Sequence, residues 1–336
     1  MTFLLELKEK LRSFYGKYEV YLLPVIKFLL AGGVFWMIRQ KIGYMERLNS
    51  VSLLLILSLA CAILPIAIML LAAGVLITLH CYALSMQAGV IMFVLFAIMY
   101  LLYFRYASRY AYNALLAPIA CSVGIPYVMP VANGLLQPPV SVIPTICGMI
   151  TYYFLNGIMA NETSLSTVEE DEELIRKFQE IIKQFAGNRE MYLSVALLAA
   201  TAIIVYVIRR LSVDYSWTIA IVLGMLMQFL GYFIGYMEIG MSSRTSALVI
   251  GCLISTVILF LIQFLFFSLD YMRTERVQFE DDEYYYYVKA VPKSYVATRE
   301  KKVKKISSRN KRERDDDVSR EELMSDMDIY MDDEED

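Results

Sequence analysis

The residues able to make or break bonds are few in this sequence. His80 is the single histidine, beside Cys81 at the end of an apolar run. It has no partnered serine, cysteine or carboxylate near it to complete a nucleophile–base pair. The pattern reads as a polar tip at the edge of an apolar segment rather than a catalyst. None of the spacings GxxxxGK[ST], HExxH or GxSxG occurs, so the chain carries no recognisable phosphate loop, zinc helix or nucleophile elbow. Cys61, Cys81, Cys121, Cys147 and Cys252 form no CxxC pair and read as small buried side chains, without a disulfide framework or a zinc site. The expectation is a chain that is not an enzyme, with no metal, no cofactor and no nucleic-acid partner.

What remains is binding chemistry. The segment "NALLAPIACSVGIPYVMPVANGLLQPPVSVIP" is interrupted by Pro118, Pro126, Pro130, Pro138, Pro139 and Pro144, with Gly124 and Gly134 between them. Proline removes a backbone donor and clashes with the preceding turn, so a continuous helix here is disfavoured. In an apolar medium the freed carbonyls need protein or water partners, which is where broken backbone lines a cavity. Asn113, Ser122, Tyr127, Asn133 and Gln137 are the candidate cavity-lining residues of this segment. Lys27 joins them as a charge inside the first apolar run, where a cation is either functional or snorkels to the interface. The alternative for the whole segment is a kinked packing element with no ligand.

The elements that position these residues are membrane helices. Of the 336 residues, 58% are hydrophobic, and the net charge of −3 averages strongly opposed blocks. The fold class expected is an all-α membrane protein of about eight transmembrane helices, with the lipid bilayer as its first partner. The segments are Tyr21–Ile38, Val51–Leu79, Tyr82–Phe104, Ala111–Leu136, Val140–Ile158, Met191–Ile208, Trp217–Met237 and Ala247–Leu269. Residues 1–20 read as an amphipathic helix in the interface, residues 21–160 as an N-terminal bundle, and residues 191–270 as C-terminal helices.

Positive charge around the last spans puts both termini in the cytoplasm of a plasma-membrane protein. Arg39, Lys41 and Arg47, and also Arg105 and Arg109, then fall on the wrong side. A hairpin broken at Pro65, or a re-entrant Ala111–Leu136, would move the loops between them. Either gives one or two broken or re-entrant elements among the eight.

The loop 161–190 is extracytoplasmic in this scheme. It carries a capping-box pattern at Ser166 and Glu169 and an amphipathic helix through Leu174, Ile175, Phe178, Ile181, Ile182 and Phe185. That helix covers the bundle, or acts as a gate or docking site. Gly224, Gly231 and Gly235 share a helix face, "GYFIG" being a GxxxG match that packs within the chain or forms a homo-oligomer. Residues 271–297 read as a juxtamembrane β-hairpin, "FEDDEYYYYVKAVP" supplying an acidic turn and a strand. Tyr284, Tyr285, Tyr286 and Tyr287 are candidate partner-docking residues. Residues 298–336, basic and then acidic, read as a disordered tail.

The segments "RRLSVDYSWTIAI" and "RTERVQFEDDEYYYYVKAVPK" resemble an uncharacterised family of polytopic membrane proteins of anaerobic Gram-positive bacteria. The resemblance covers the C-terminal third and implies a bacterial plasma membrane and no mechanism. From the residues themselves two functions are expected. One is a permease-like transport component, which has no ATPase of its own and would need a separate cytoplasmic ATPase. The alternative is a non-catalytic membrane scaffold or assembly factor that recruits cytoplasmic proteins through its tail.

Overall fold

Among the described residues six helices, Ile66–Leu84 one of them, are long and apolar enough to cross a membrane. The computed structural model describes residues 2–106, 108–165, 171–267, 275–280 and 284–290. One compact unit runs from Phe3 to Ser294; the second, Tyr295–Asp336, lies outside the described residues. So do Ser166, Glu169, the acidic turn at 281–283 and the charged tail. The helices are α1 (Thr2–Ile42), α2 (Val51–Ile63), α3 (Ile66–Leu84), α4 (Met86–Tyr106), α5 (Tyr112–Val123), α6 (Val128–Leu136), α7 (Val142–Ala160), α8 (Glu162–Leu165), α9 (Asp171–Ala186), α10 (Arg189–Arg210), α11 (Ser216–Ile239) and α12 (Thr245–Phe266). Strands β1 (Glu275–Glu280) and β2 (Tyr285–Ala290) follow.

The expected N-terminal element is one helix with the first span, bent at Tyr18 (φ −113, ψ 16). Lys8 is not on a solvated face. Its Nζ donates to the Phe267 carbonyl at 2.5 Å and lies 5.4 Å from the Phe264 ring centroid, a cation placed at the negative end of α12. We call this the proximal end of the bundle, and the end holding Ile42 the distal end.

Two of the eight expected spans are hairpins that return to the end they started from. The first is α2–α3. Ile63 and Ile66 flank a break at Leu64–Pro65, where proline ends α2. Lys27 Nζ donates to the Leu64 carbonyl at 3.2 Å, so the break lies at the depth of Lys27. From there α3 climbs back, and His80 Nδ1 accepts from the Met45 backbone N–H at 3.2 Å, just beyond the distal end of α1. At 13 residues, α2 is ~20 Å long and too short to cross. A one-residue turn at Ser85 then reverses the chain into α4; its Oγ accepts from the Ala88 N–H at 3.1 Å.

The second hairpin, α5–α6, enters from the proximal end. Gly124, at φ +83, ends α5 with bonds from its N–H and from Ile125 N–H to the last carbonyls of the helix, a left-handed cap that glycine adopts without strain. After a turn through Pro126, α6 descends, and Gln137 at its end meets Asn113 at the start of α5. With 12 and 9 residues, neither arm crosses. The first hairpin puts Arg105 and Arg109 at the proximal end, while Arg39, Lys41 and Arg47 stay distal.

The loop after α1 is held on the bundle by Tyr44, hydrogen-bonded to Glu162; burial first, then this carboxylate, raise the phenol to about 12. Helix α9 covers the distal end with Ile181 buried and Phe185 against Phe154 at 5.3 Å, while Ile175 and Ile182 stay exposed. The glycine face of α11 packs on α10: a Cβ on Gly231 would strike Leu197 and one on Gly235 would strike Leu193, while Gly224 abuts Val205. Gln228, between them, donates to Thr201 Oγ1 at 2.6 Å. The tail hairpin is antiparallel, pairing Glu275 with Ala290 and Glu280 with Tyr285.

Candidate functional site

The polar residues of the proline-rich segment do not form one site. They divide by depth along the α5–α6 hairpin. At its proximal base, Asn113 Nδ2 donates to Gln137 Oε1 at 2.6 Å, and Gln137 Nε2 donates to the Tyr112 hydroxyl at 2.6 Å. Both amides are buried. Midway, Asn133 Nδ2 donates to Thr145 Oγ1 at 2.6 Å, and Thr145 donates on to the Ser141 carbonyl at 3.0 Å. Ser122 is spent on its own helix, donating to the Pro118 carbonyl at 2.8 Å. Lys27 lies away from this hairpin, on the α2–α3 break. These amides and hydroxyls satisfy one another, which is what a polar group in an apolar interior requires.

Tyr127, at the distal tip, reaches a polar cavity, whereas Ser122 lines a separate apolar groove. Glycines make this possible by close approach. A Cβ on Gly251 would sit 2.7 Å from the Tyr127 ring and 2.8 Å from the Gly124 carbonyl. A Cβ on Gly148 would collide with the Ala114 carbonyl, the one that Pro118 leaves without its helical donor. The bare α7 backbone therefore lies against that carbonyl, within reach of a weak Cα–H···O contact.

The cavity above the tip has a volume of about 660 Å³. Its wall is a tyrosine cluster: Tyr127 meets Tyr232 edge-on at 5.1 Å, Tyr232 meets Tyr236 at 5.6 Å, and Tyr152 meets Tyr153 at 5.5 Å. At its centre Arg244 Nη1 donates to Glu190 Oε1 at 2.5 Å. The Glu190 side chain is 12% exposed, that of Arg244 54%. Tyr153 is hydrogen-bonded to Glu190, and its hydroxyl lies 2.7 Å from Ser194 Oγ. Tyr236 is hydrogen-bonded to both Arg244 and Tyr127. Asn156, Gln184 and Asn188 complete the rim.

Chemically this is a polar cup that offers ring faces, hydroxyls, amides and one carboxylate–guanidinium pair. It suits a small polar solute with some apolar surface. Among the described residues no group of three or more His, Cys, Asp or Glu is placed to hold a metal ion.

Sequence reasoning missed most of this cup. Glu190 stands in sequence only as the end of the acidic loop; in the structure it lies in the first turn of α10, which Asn188 caps, its Oδ1 accepting from Met191 N–H at 3.0 Å. Arg244, which the sequence does not single out, lies in the turn before α12. The available signal was the clustering of tyrosines inside apolar runs: Tyr152 with Tyr153, and Tyr232 with Tyr236 one helical turn apart.

At the other end of the hairpin Arg209 Nη1 donates to the Leu135 carbonyl, capping α6 with a cation. Tyr284, Tyr285, Tyr286 and Tyr287 are all exposed, Tyr287 at 78%. No family model, curated protein or solved structure matches this chain, so no relative assigns a role to these residues.

Proposed function

We propose that this chain is the membrane-embedded, solute-binding component of a permease-like transport system that has no ATPase of its own. The observation that carries the reading is the tyrosine-lined cavity standing over the tip of a broken, end-returning hairpin. Discontinuous helices with polar groups at mid-bundle are how membrane transporters hold a solute. The ion pair Glu190–Arg244 adds a charge pair, buried on its carboxylate side only, that a bound solute can rearrange. Sidedness follows from charge: Lys8, Arg105, Arg109, Arg209 and Arg210 belong to the proximal end, which we assign to the cytoplasm of the plasma membrane. Energy would then come from a separate cytoplasmic ATPase.

The test is thiol accessibility in a cysteine-free background. Tyr127→Cys is expected to react with a membrane-impermeant reagent from outside intact cells, and Asn133→Cys, one layer below, to resist it. Protection of Tyr127→Cys from both sides would mean a dry packing element and end the transport reading.

A second reading, a scaffold recruiting cytoplasmic proteins, is favoured by the exposed tyrosines of β2, since an open strand edge invites pairing. It takes over if Tyr127→Cys is protected while replacing Tyr284–Tyr287 by serine abolishes co-purification of cytoplasmic partners.

A further inference from the structure

A second cavity, of about 420 Å³, lies between α1, α3, α4, α5 and α7. Its wall is almost wholly hydrocarbon, with Leu70, Phe96, Met99 and Leu115 among the residues that line it. Leu71, Val75 and Phe93, which also line it, are exposed, so the groove opens sideways, toward the apolar surface of the bundle. On α3 it extends from Leu70 to Leu79, ~14 Å at helical rise. This is the shape of a slot for one hydrocarbon chain.

The groove has one charge. Lys41, in the last turn of α1, lines its distal end. Its amine lies 4.5 Å from the centroid of the Tyr152 ring, and it belongs to none of the ion pairs among the described residues. A half-buried ammonium at the mouth of a hydrocarbon slot, with no ion-pair partner among the described residues, is a complement for a bound anion. Tyr152 and Asn156 line both this groove and the polar cup, so the two chemistries adjoin at Lys41.

We propose that the groove binds a membrane-dissolved anionic amphiphile. A single acyl or isoprenoid chain lies along α3 and α4, and the phosphate or carboxylate group is paired with Lys41. An uncharged amphiphile would bury the same chain but leave the cation unpaired. The site stands whether or not the polar cup carries a solute.

The experiment uses the full chain in bilayer discs of zwitterionic lipid. The probes are a dodecyl phosphate bearing a diazirine near the chain end and a neutral dodecyl glucoside with the same diazirine. The phosphate probe is expected to label peptides of α3, α4 and α7, and to do so about tenfold or more over the neutral probe, as a charge-assisted bond implies. Lys41→Gln should reduce it to the level of the neutral probe, and Lys41→Arg should retain it. Thermal unfolding of the unlabelled Lys41→Gln protein should stay within a few degrees of the wild type, because the cation loses no ion pair among the described residues, only its contact with the Tyr152 ring. Equal labelling by both probes, or labelling unaffected by Lys41→Gln, would overturn the proposal. So would displacement of the probe by inorganic phosphate alone, which would mean that a free anion, not a lipid, is the ligand.

Discussion

Lys27 shows how a charge inside an apolar helix can serve structure. Proline at 65 denies α2 its next helical donor, and the Leu64 carbonyl is left at the depth of the break. Lys27 donates to it, as Arg209 does to Leu135 at the base of α6. Neither snorkelling nor ligand binding is needed to explain it. An unsatisfied carbonyl away from water costs about 1–3 kcal/mol, and the low end applies because the amine is half-exposed. Lys27→Met should therefore lower stability by about 1 kcal/mol, seen as a reduced unfolding temperature in detergent, whereas Lys27→Arg should be neutral. Equal stability of Lys27→Met and wild type would show that water supplies the missing bond. At this scale the sequence marks the residue but not its task. Lys27 stands out as a charge in an apolar run, yet the carbonyl it meets is 37 residues away, and nothing local reports that distance. Glu190 and Arg244 were hidden for the same reason: each looks like a solvated span-end charge until the fold brings them together.

Elements are held by backbone approach as much as by side chains. The GxxxG face of α11 is legible in sequence because its period is local, and it packs on α10 within the chain. The glycine that matters more, Gly148 on α7, carries no such pattern. Its importance comes from Pro118 on another helix, whose ring and freed carbonyl it accommodates. The two kinds of glycine separate experimentally. A methyl on Gly235 meets the tip of Leu193, which can rotate away. A methyl on Gly148 meets the Ala114 carbonyl and the Pro118 ring, which cannot. Gly148→Ala should cost about 1–3 kcal/mol, the range for overpacking, and Gly235→Ala less than about 0.5 kcal/mol. Unfolding temperatures of the two purified variants give the order, and the reverse order would show that α5 and α7 can shift apart. The tail hairpin was legible for the simplest reason: both strands and the turn are contiguous, so pairing is set by the local run of aromatic and β-branched residues.

Across the whole molecule the hairpins change the count and keep the parity. On the topology we propose, the eight apparent spans become six helices that run end to end, α1, α4, α7, α10, α11 and α12, with two excursions that come back, although α3 is itself long and apolar enough to cross. Apolar length alone cannot separate a span from an excursion, since Val51–Leu79 is as hydrophobic as any true crossing. The clue was charge: Arg105 and Arg109 stood on the wrong side of a simple alternating path, and one excursion before them moves these two across, while Arg39, Lys41 and Arg47 remain distal. Cysteines at Ser50 and Met86 should then be labelled from the same side of the membrane, together with one at Asp171. A cysteine at Arg109 should be labelled from the other side, with one at Arg210. Opposite labelling at Ser50 and Met86 would mean that α2–α3 crosses after all.

Such a chain is not assembled in the order in which it is made. On this reading α5–α6 leaves the ribosome with carbonyls that have no donor: Ala114 waits for the α7 backbone at Gly148, and Leu135 waits for Arg209 at the end of α10. Until those later helices exist, the hairpin has water as its only partner, and the interior of a bilayer offers none. On the sidedness we propose, it would linger at the cytoplasmic boundary while synthesis runs on some seventy residues beyond it, and be drawn in by helices that follow it. Its entry is a closing step of biogenesis, and the tyrosine cup above its tip comes into being only when that step is complete.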